Sequence, residues 1–167
     1  MTQGTTLAGG DVQVVVFGLG DEEFALPVTA VREILDHRQA YRVPHAPDWF
    51  LGLTDVRGAS VPMVDLRVRL GMTPVAVTLK TRILVVDIAG ADGAPFALGL
   101  VVDRVLDVAT FGADAVEGSP ELGGRWRSQQ IEAILRRGAG FVALLDPVRL
   151  FGAEDVDAAL GDLGLAA

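Results

Sequence analysis

There is no cysteine among the 167 residues. Neither a disulfide framework nor a thiolate metal site is therefore available, a composition compatible with a reducing compartment. Positive charge is also short: 14 Lys and Arg stand against 22 Asp and Glu, for a formal net charge of −8. A surface of that sign repels phosphate, which excludes nucleic acid as the expected partner. No uninterrupted apolar run approaches the ~18 residues that a membrane helix needs. Residues 1–10 have neither the basic region nor the apolar core of a secretory signal. The expectation is a cytoplasmic protein with no membrane insertion, its first ten residues a loose tail.

Catalytic groups are scarce as well. His37 and His45 are the only histidines, and neither lies near a Gly-X-Ser-X-Gly elbow, which is absent. With Asp36 and Asp48 nearby they have the makings of a weak metal site, but two solvated loop residues are the simpler reading. Asp65, Asp87, Asp103 and Asp146 each close an apolar strand, as paired catalytic carboxylates do. Two of them, Asp65 and Asp146, precede short helices, where an aspartate serves as a cap. Asp87-Ile88-Ala89-Gly90 is not an aspartic-protease motif, and Gly18-Leu19-Gly20 lacks the third glycine of a dinucleotide loop. The chain reads as non-enzymatic, with no cofactor and no metal.

What is present is hydrophobic: half of the residues are apolar and 22% are charged, enough for a well-buried core. The stretch Leu51 to Gly71 reads as strand, tight turn at Arg57-Gly58-Ala59-Ser60, strand, and a short helix capped by Asp65. Ile134 to Gly152 repeats it, with Arg137-Gly138 at the turn, Asp146 closing the strand and Pro147 suited to the first helical position. One inserted residue, absorbed by a bulge or a looser turn, keeps the copies in step. A second echo equates Phe24-Ala25-Leu26 with Phe96-Ala97-Leu98, and Val31–Leu35 with Val102–Leu106. Two related small β units follow.

In order, Val12–Leu19 and Glu23–Pro27 are expected strands, and the spacing of Val28, Val31, Ile34 and Leu35 predicts a short helix. His37 to Val43 reads as an irregular polar strand that Pro44 and Pro47 end, before a single turn at Asp48-Trp49-Phe50. Residues 72–80 are a connection, Thr81–Ala89 and Phe96–Val102 are strands, and Asp103–Val108 prolongs the second beyond a bend. Phe111 to Gln129 reads as a long surface loop, and Glu154 to Leu163 as a helix. Short strands with frequent turns point to barrels or a sandwich.

Seven segments carry a resemblance. They are Phe17-Gly-Leu-Gly-Asp-Glu-Glu-Phe24, Val31-Arg-Glu-Ile34, Val43-Pro-His-Ala-Pro47, Gly52-Leu-Thr-Asp-Val-Arg-Gly58, Val61-Pro-Met-Val-Asp-Leu66, Gly99-Leu-Val-Val-Asp-Arg-Val105 and Leu144-Leu-Asp146. In this order they resemble the CheW family of bacterial chemotaxis coupling proteins. The resemblance implies a mainly β fold of two five-stranded SH3-like barrels around a shared core, with short helices. Residues 11–152 would form this single domain of two pseudo-repeated subdomains, with a C-terminal helix and tail in 153–167. The length suits a stand-alone coupling protein.

The resemblance further implies an adaptor that binds the regulatory domain of the histidine kinase CheA and the cytoplasmic tip of chemoreceptors, and is recruited to membrane-associated receptor arrays. By position Val31, Glu33, Arg57 and Gly58 match the receptor-facing motifs, with Glu33 and Arg57 expected to face each other and an exposed Val31 beside them. Val43, Pro44, Trp49 and Phe50 are the expected kinase-facing corner, with ordinary core as the other reading of the two aromatics. The family usually has Asn where Asp55 stands, and the added charge is placed to compete with Glu33 for Arg57. Arg125-Trp126-Arg127 matches no assigned motif. An adaptor of a pilus or other non-flagellar pathway, and a small acidic β-barrel that binds a ligand or is an enzyme, are the alternatives.

Overall fold

A computed structural model describes residues 10–89, 94–118 and 130–151. The expected tails, the helix read at 154–163 and Arg125-Trp126-Arg127 lie outside the described residues. The strands are β1 (Val12–Leu19), β2 (Glu22–Pro27), β3 (Val31–Asp36), β4 (Phe50–Val56), β5 (Ala59–Asp65), β6 (Arg82–Ala89), β7 (Pro95–Val102), β8 (Arg104–Phe111), β9 (Val116–Gly118), β10 (Ile131–Arg137) and β11 (Gly140–Leu145). Helix α1 is Leu66–Arg69, and residues 147–151 form a second helical turn, α2. The mainly β fold class read from the sequence is the one observed.

Two sheets contain all of these strands, in the orders β8-β1-β2-β11-β10-β9 and β3-β6-β7-β5-β4. The second order becomes the first, β9 apart, when β1 is exchanged with β6, β2 with β7, β3 with β8, β4 with β10 and β5 with β11. The correspondence holds residue by residue. In the six-stranded sheet Val16 pairs with Asp107 and Ala25, Ala25 with Leu144, and Leu144 with Ala133. In the five-stranded sheet Val85 pairs with Glu33 and Gly99, Gly99 with Met63, and Met63 with Gly52. Register shifts fall at matching places on the edges: between Val31 and Glu33, and between the partners of Val105 and Asp107.

This pairing corrects both echoes. Phe24-Ala25-Leu26 corresponds to Leu98-Gly99-Leu100, and Val31–Leu35 to Val105–Ala109. It also removes the inserted residue. Val56 pairs with Ala59 around Arg57-Gly58, whereas Arg137 pairs with Gly140 around Gly138-Ala139. The second turn is shifted by one residue, and from there to the capping aspartate the copies keep step.

Four further expectations change. Residues 31–36 are an edge strand, with only Val28–Ala30 in a 3-10 turn. The half-buried residues Val31, Glu33 and Leu35 alternate with exposed neighbours, a period of two that β-branched side chains favour once β6 lies alongside. Residues 37–43 contribute an isolated bridge, Tyr41 to Leu53, rather than a strand. The bend at Asp103 moves the chain to the other sheet, so β8 pairs with β1 and does not prolong β7. Within the expected loop, the turn Ala113–Ala115 and β9 are ordered, the latter as a sixth strand beside β10.

Central strands are apolar on both faces because each face has a core to meet. Val15, Phe17 and Leu19 of β1, with Leu84, Val86 and Ile88 of β6, enter one large core between the sheets. Val12, Val14 and Val16 turn to a second core under β10 and β11, and Ile83 and Val85 to a third with Met63. One large shared core thus sits with two smaller ones on the outer faces of the sheets.

Candidate functional site

The β4–β5 hairpin turns in two residues, and both have positive φ, 53° at Arg57 and 85° at Gly58. Turns of this hand match the twist of the flanking strands, and glycine adopts them without strain. The tip therefore carries Arg57 clear of the sheet, toward the edge strand β3. There Arg57 donates from Nε to Glu33 Oε2 at 3.3 Å and from Nη2 to Oε1 at 3.2 Å. The hydrogen bonds and charge of Glu33 raise the pKa of this exposed guanidinium. Glu33 and Arg57 face each other as the sequence reading expected.

Asp55 does not take that place. Arg38 Nη1 binds its backbone carbonyl at 2.8 Å, and the guanidinium of Arg57 pairs with Glu33. Val31 differs from expectation too: it is half-buried and packs against the shared core. The exposed apolar side chain on β3 is Ile34, 40% exposed, which the helical reading had turned inward. A groove of about 520 Å³ lies beside the pair, with Val56, Val61, Pro62 and Phe96 among its lining. Phe96 and Pro62 were not expected at this site, because they join Glu33 only through sheet pairing.

The other expected corner divides. Val43 and Pro44 line a pocket of about 370 Å³ together with Arg42, His45 and Asp48. Phe50, also in its wall, is 8% exposed and belongs to the buried interior. Trp49 packs 6.0 Å from Phe151, and the Arg69 guanidinium lies 5.2 Å from the Trp49 ring. Its carbonyl accepts from the Asp65 N–H at 2.8 Å. Trp49 thus joins α1 to α2, and Phe50 backs the corner from the buried side.

The strand-closing aspartates do not converge. Asp65 accepts from Val68 N at 3.4 Å and Asp146 from Val148 N at 3.0 Å, both as helix caps. Asp87 binds Arg32. Asp103 accepts from Arg67 Nε and Nη2 and from the Gly20 N–H, the last at 2.7 Å. Burial pushes the Asp103 pKa up, but these hydrogen bonds and the charges of Arg67 and Arg104 outweigh it and hold the carboxyl below its ordinary value. Among the described residues there is no group of three or more His, Cys, Asp or Glu that could hold a metal ion, and no helix long and apolar enough to cross a membrane.

Fold and surface together define a two-sheet β protein that carries an acid–arginine pair at a hairpin tip. The chain belongs to the CheW-like domain family, whose model matches residues 13–155. It is 32% identical to the probable chemotaxis protein CheW of Rhizobium etli, over 92% of this chain and 96% of that one. It is 30% identical to the chemotaxis protein CheW of Rhizobium meliloti over the same shares. Its fold superposes with a TM-score of 0.75 on the scaffolding protein TtCheW from Thermoanaerobacter tengcongensis, at 24% identity, covering 86% of this chain and 94% of that one.

Proposed function

We propose that the protein is a chemotaxis adaptor that couples chemoreceptors to the histidine kinase CheA by protein–protein binding. Family membership across residues 13–155 carries this reading. The adaptor does no chemistry; it works in the cytoplasm and joins membrane-associated receptor arrays through its partners.

The receptor-facing site is built from Glu33, Arg57 and Gly58, with Val31 supporting β3 from the core side. A bidentate pair held above an apolar groove suits a helical receptor tip with polar and apolar faces. The kinase-facing site is the corner of Val43 and Pro44, held in shape by Trp49 and Phe50 beneath it. Proline-rich, partly apolar corners of this kind present a preformed surface to another folded domain.

Arg57→Ala tests the first site. Because the arginine is solvent-exposed, the variant should melt like the parent and retain the CheA regulatory domain in co-purification. It should lose capture of a receptor cytoplasmic fragment. A variant that captures receptor as the parent does removes the site.

A further inference from the structure

The half of the molecule away from Arg57 repeats this construction with a different charge. Asp107 occupies the row position of Glu33, just after the matching register shift on edge strand β8. It pairs bidentately with Arg137 beside the β10–β11 turn, at 2.9 Å from Nη1 and 2.7 Å from Nη2. Alongside lies a groove of about 740 Å³, larger than the one at Arg57. Phe24, Ile131 and Ile134 form its apolar lining, and Phe141, 58% exposed, stands in its wall.

The rim is acidic. Asp21 edges it from the β1–β2 turn, Glu22 and Glu23 from the start of β2, and Glu117, bound by Arg136 at 2.8 Å, from β9. Among the described residues no ion pair engages Asp21 or Glu22. The guanidinium in the lining, Arg137, is paired with Asp107 and also feels the charge of Glu23, so the three rim carboxylates and Glu117 outnumber the cations beside them. At the first site Arg32 and Arg57 line the groove, each paired with a carboxylate, Asp87 and Glu33. The same scaffold thus offers one charge-balanced groove and one with an acidic rim, which select different ligands by charge.

We propose that the second groove docks a basic segment of a partner protein, one with a large apolar side chain flanked by Lys or Arg. The apolar anchor covers Phe141 and fills the space toward Ile134, while the flanking cations meet Glu22 and Glu23. This site stands on the groove and its rim, independently of the receptor reading.

The test uses the full-length, isotope-labelled protein and two short synthetic peptides, each with a central tryptophan, one flanked by lysines and its twin by glutamates. Amide resonances of Glu22, Glu23, Ile134 and Phe141 should shift with the lysine peptide alone, and its affinity should fall with added salt. The double variant E22K/E23K should weaken binding about tenfold or more. Phe141→Ser, at an exposed position and hence without effect on melting, should do the same, and Arg57→Ala should change nothing. Equal binding of the glutamate twin, shifts centred on Arg57 and Ser60, or no shift at millimolar peptide overturns the proposal. Binding that emerges only when Arg125, Trp126 and Arg127 are replaced by glycine or serine also overturns it, by showing that the chain's own basic stretch takes the groove.

Discussion

Single residues in this protein are constrained by what the chain brings against them from afar. Gly52 has a φ of 132° and sits under the bridge in which Tyr41 donates to Leu53 O at 2.7 Å and accepts from Leu53 N at 2.9 Å. A Cβ there would overlap the Tyr41 carbonyl, a backbone atom that cannot swing aside. Gly52→Ala should therefore detach residues 37–43 from β4 and cost about 2 kcal/mol, from strain and a lost bridge together. Urea denaturation would show this as a lower midpoint, and an unchanged midpoint would show that the corner tolerates the methyl group. Gly58, by contrast, has open space around it and is constrained by its φ of 85° alone. That local requirement was legible in the sequence as a turn signal, whereas the requirement at Gly52 was not, because Tyr41 approaches from eleven positions away in an irregular segment.

Elements are tied together by aspartates at strand ends. Asp146 is 4% exposed, caps α2 through Val148 N and meets Arg149 at 3.3 Å. Asp146→Ala should cost about 1–2 kcal/mol, the range for a lost N-cap, and thermal melting should register it. Asp103 links three elements, the β1–β2 turn through Gly20, α1 through Arg67 and the corner before β8. Its carboxyl is held below the ordinary value, so the ionised form adds stability that is fully present above the unfolded pKa, about 4, and is lost as pH falls through the lower folded value. Denaturation of the parent and Asp103→Asn across pH should show the largest gap near neutrality and a gap that closes in acid. A gap independent of pH would place the effect in packing instead.

The molecule as a whole is built by exchange between its two halves. The β1–β2 hairpin completes the sheet of β8, β10 and β11, while β6–β7 completes that of β3, β4 and β5. The junctions are the parallel pairs β2–β11 and β5–β7. Residues 72–78, which link the halves, have no regular structure and leave Val75 and Val77 exposed. A chain cut between Ala76 and Val77 should yield two fragments that are unfolded alone, since each lacks a central hairpin, and that regain the β spectrum when mixed. Cooperative melting of either fragment by itself would show that one half can close its own sheet.

Amino-acid order alone determined most of the strands, the turn at Arg57-Gly58, the capping aspartates and the doubling of the pattern, because each follows from contacts within a few residues. It also carried the pairing of Glu33 with Arg57, through family motifs rather than through spacing. Tertiary structure decided the rest. Val31–Asp36 is a strand because β6 offers it an edge, which outweighs an apolar spacing that also fits a helix. The echoes near Phe96 and Val102 moved by two and three residues because register is set by pairing and not by likeness of letters. Which half completes which sheet, and hence which side chains share a groove, depends on long-range pairing that no local pattern contains.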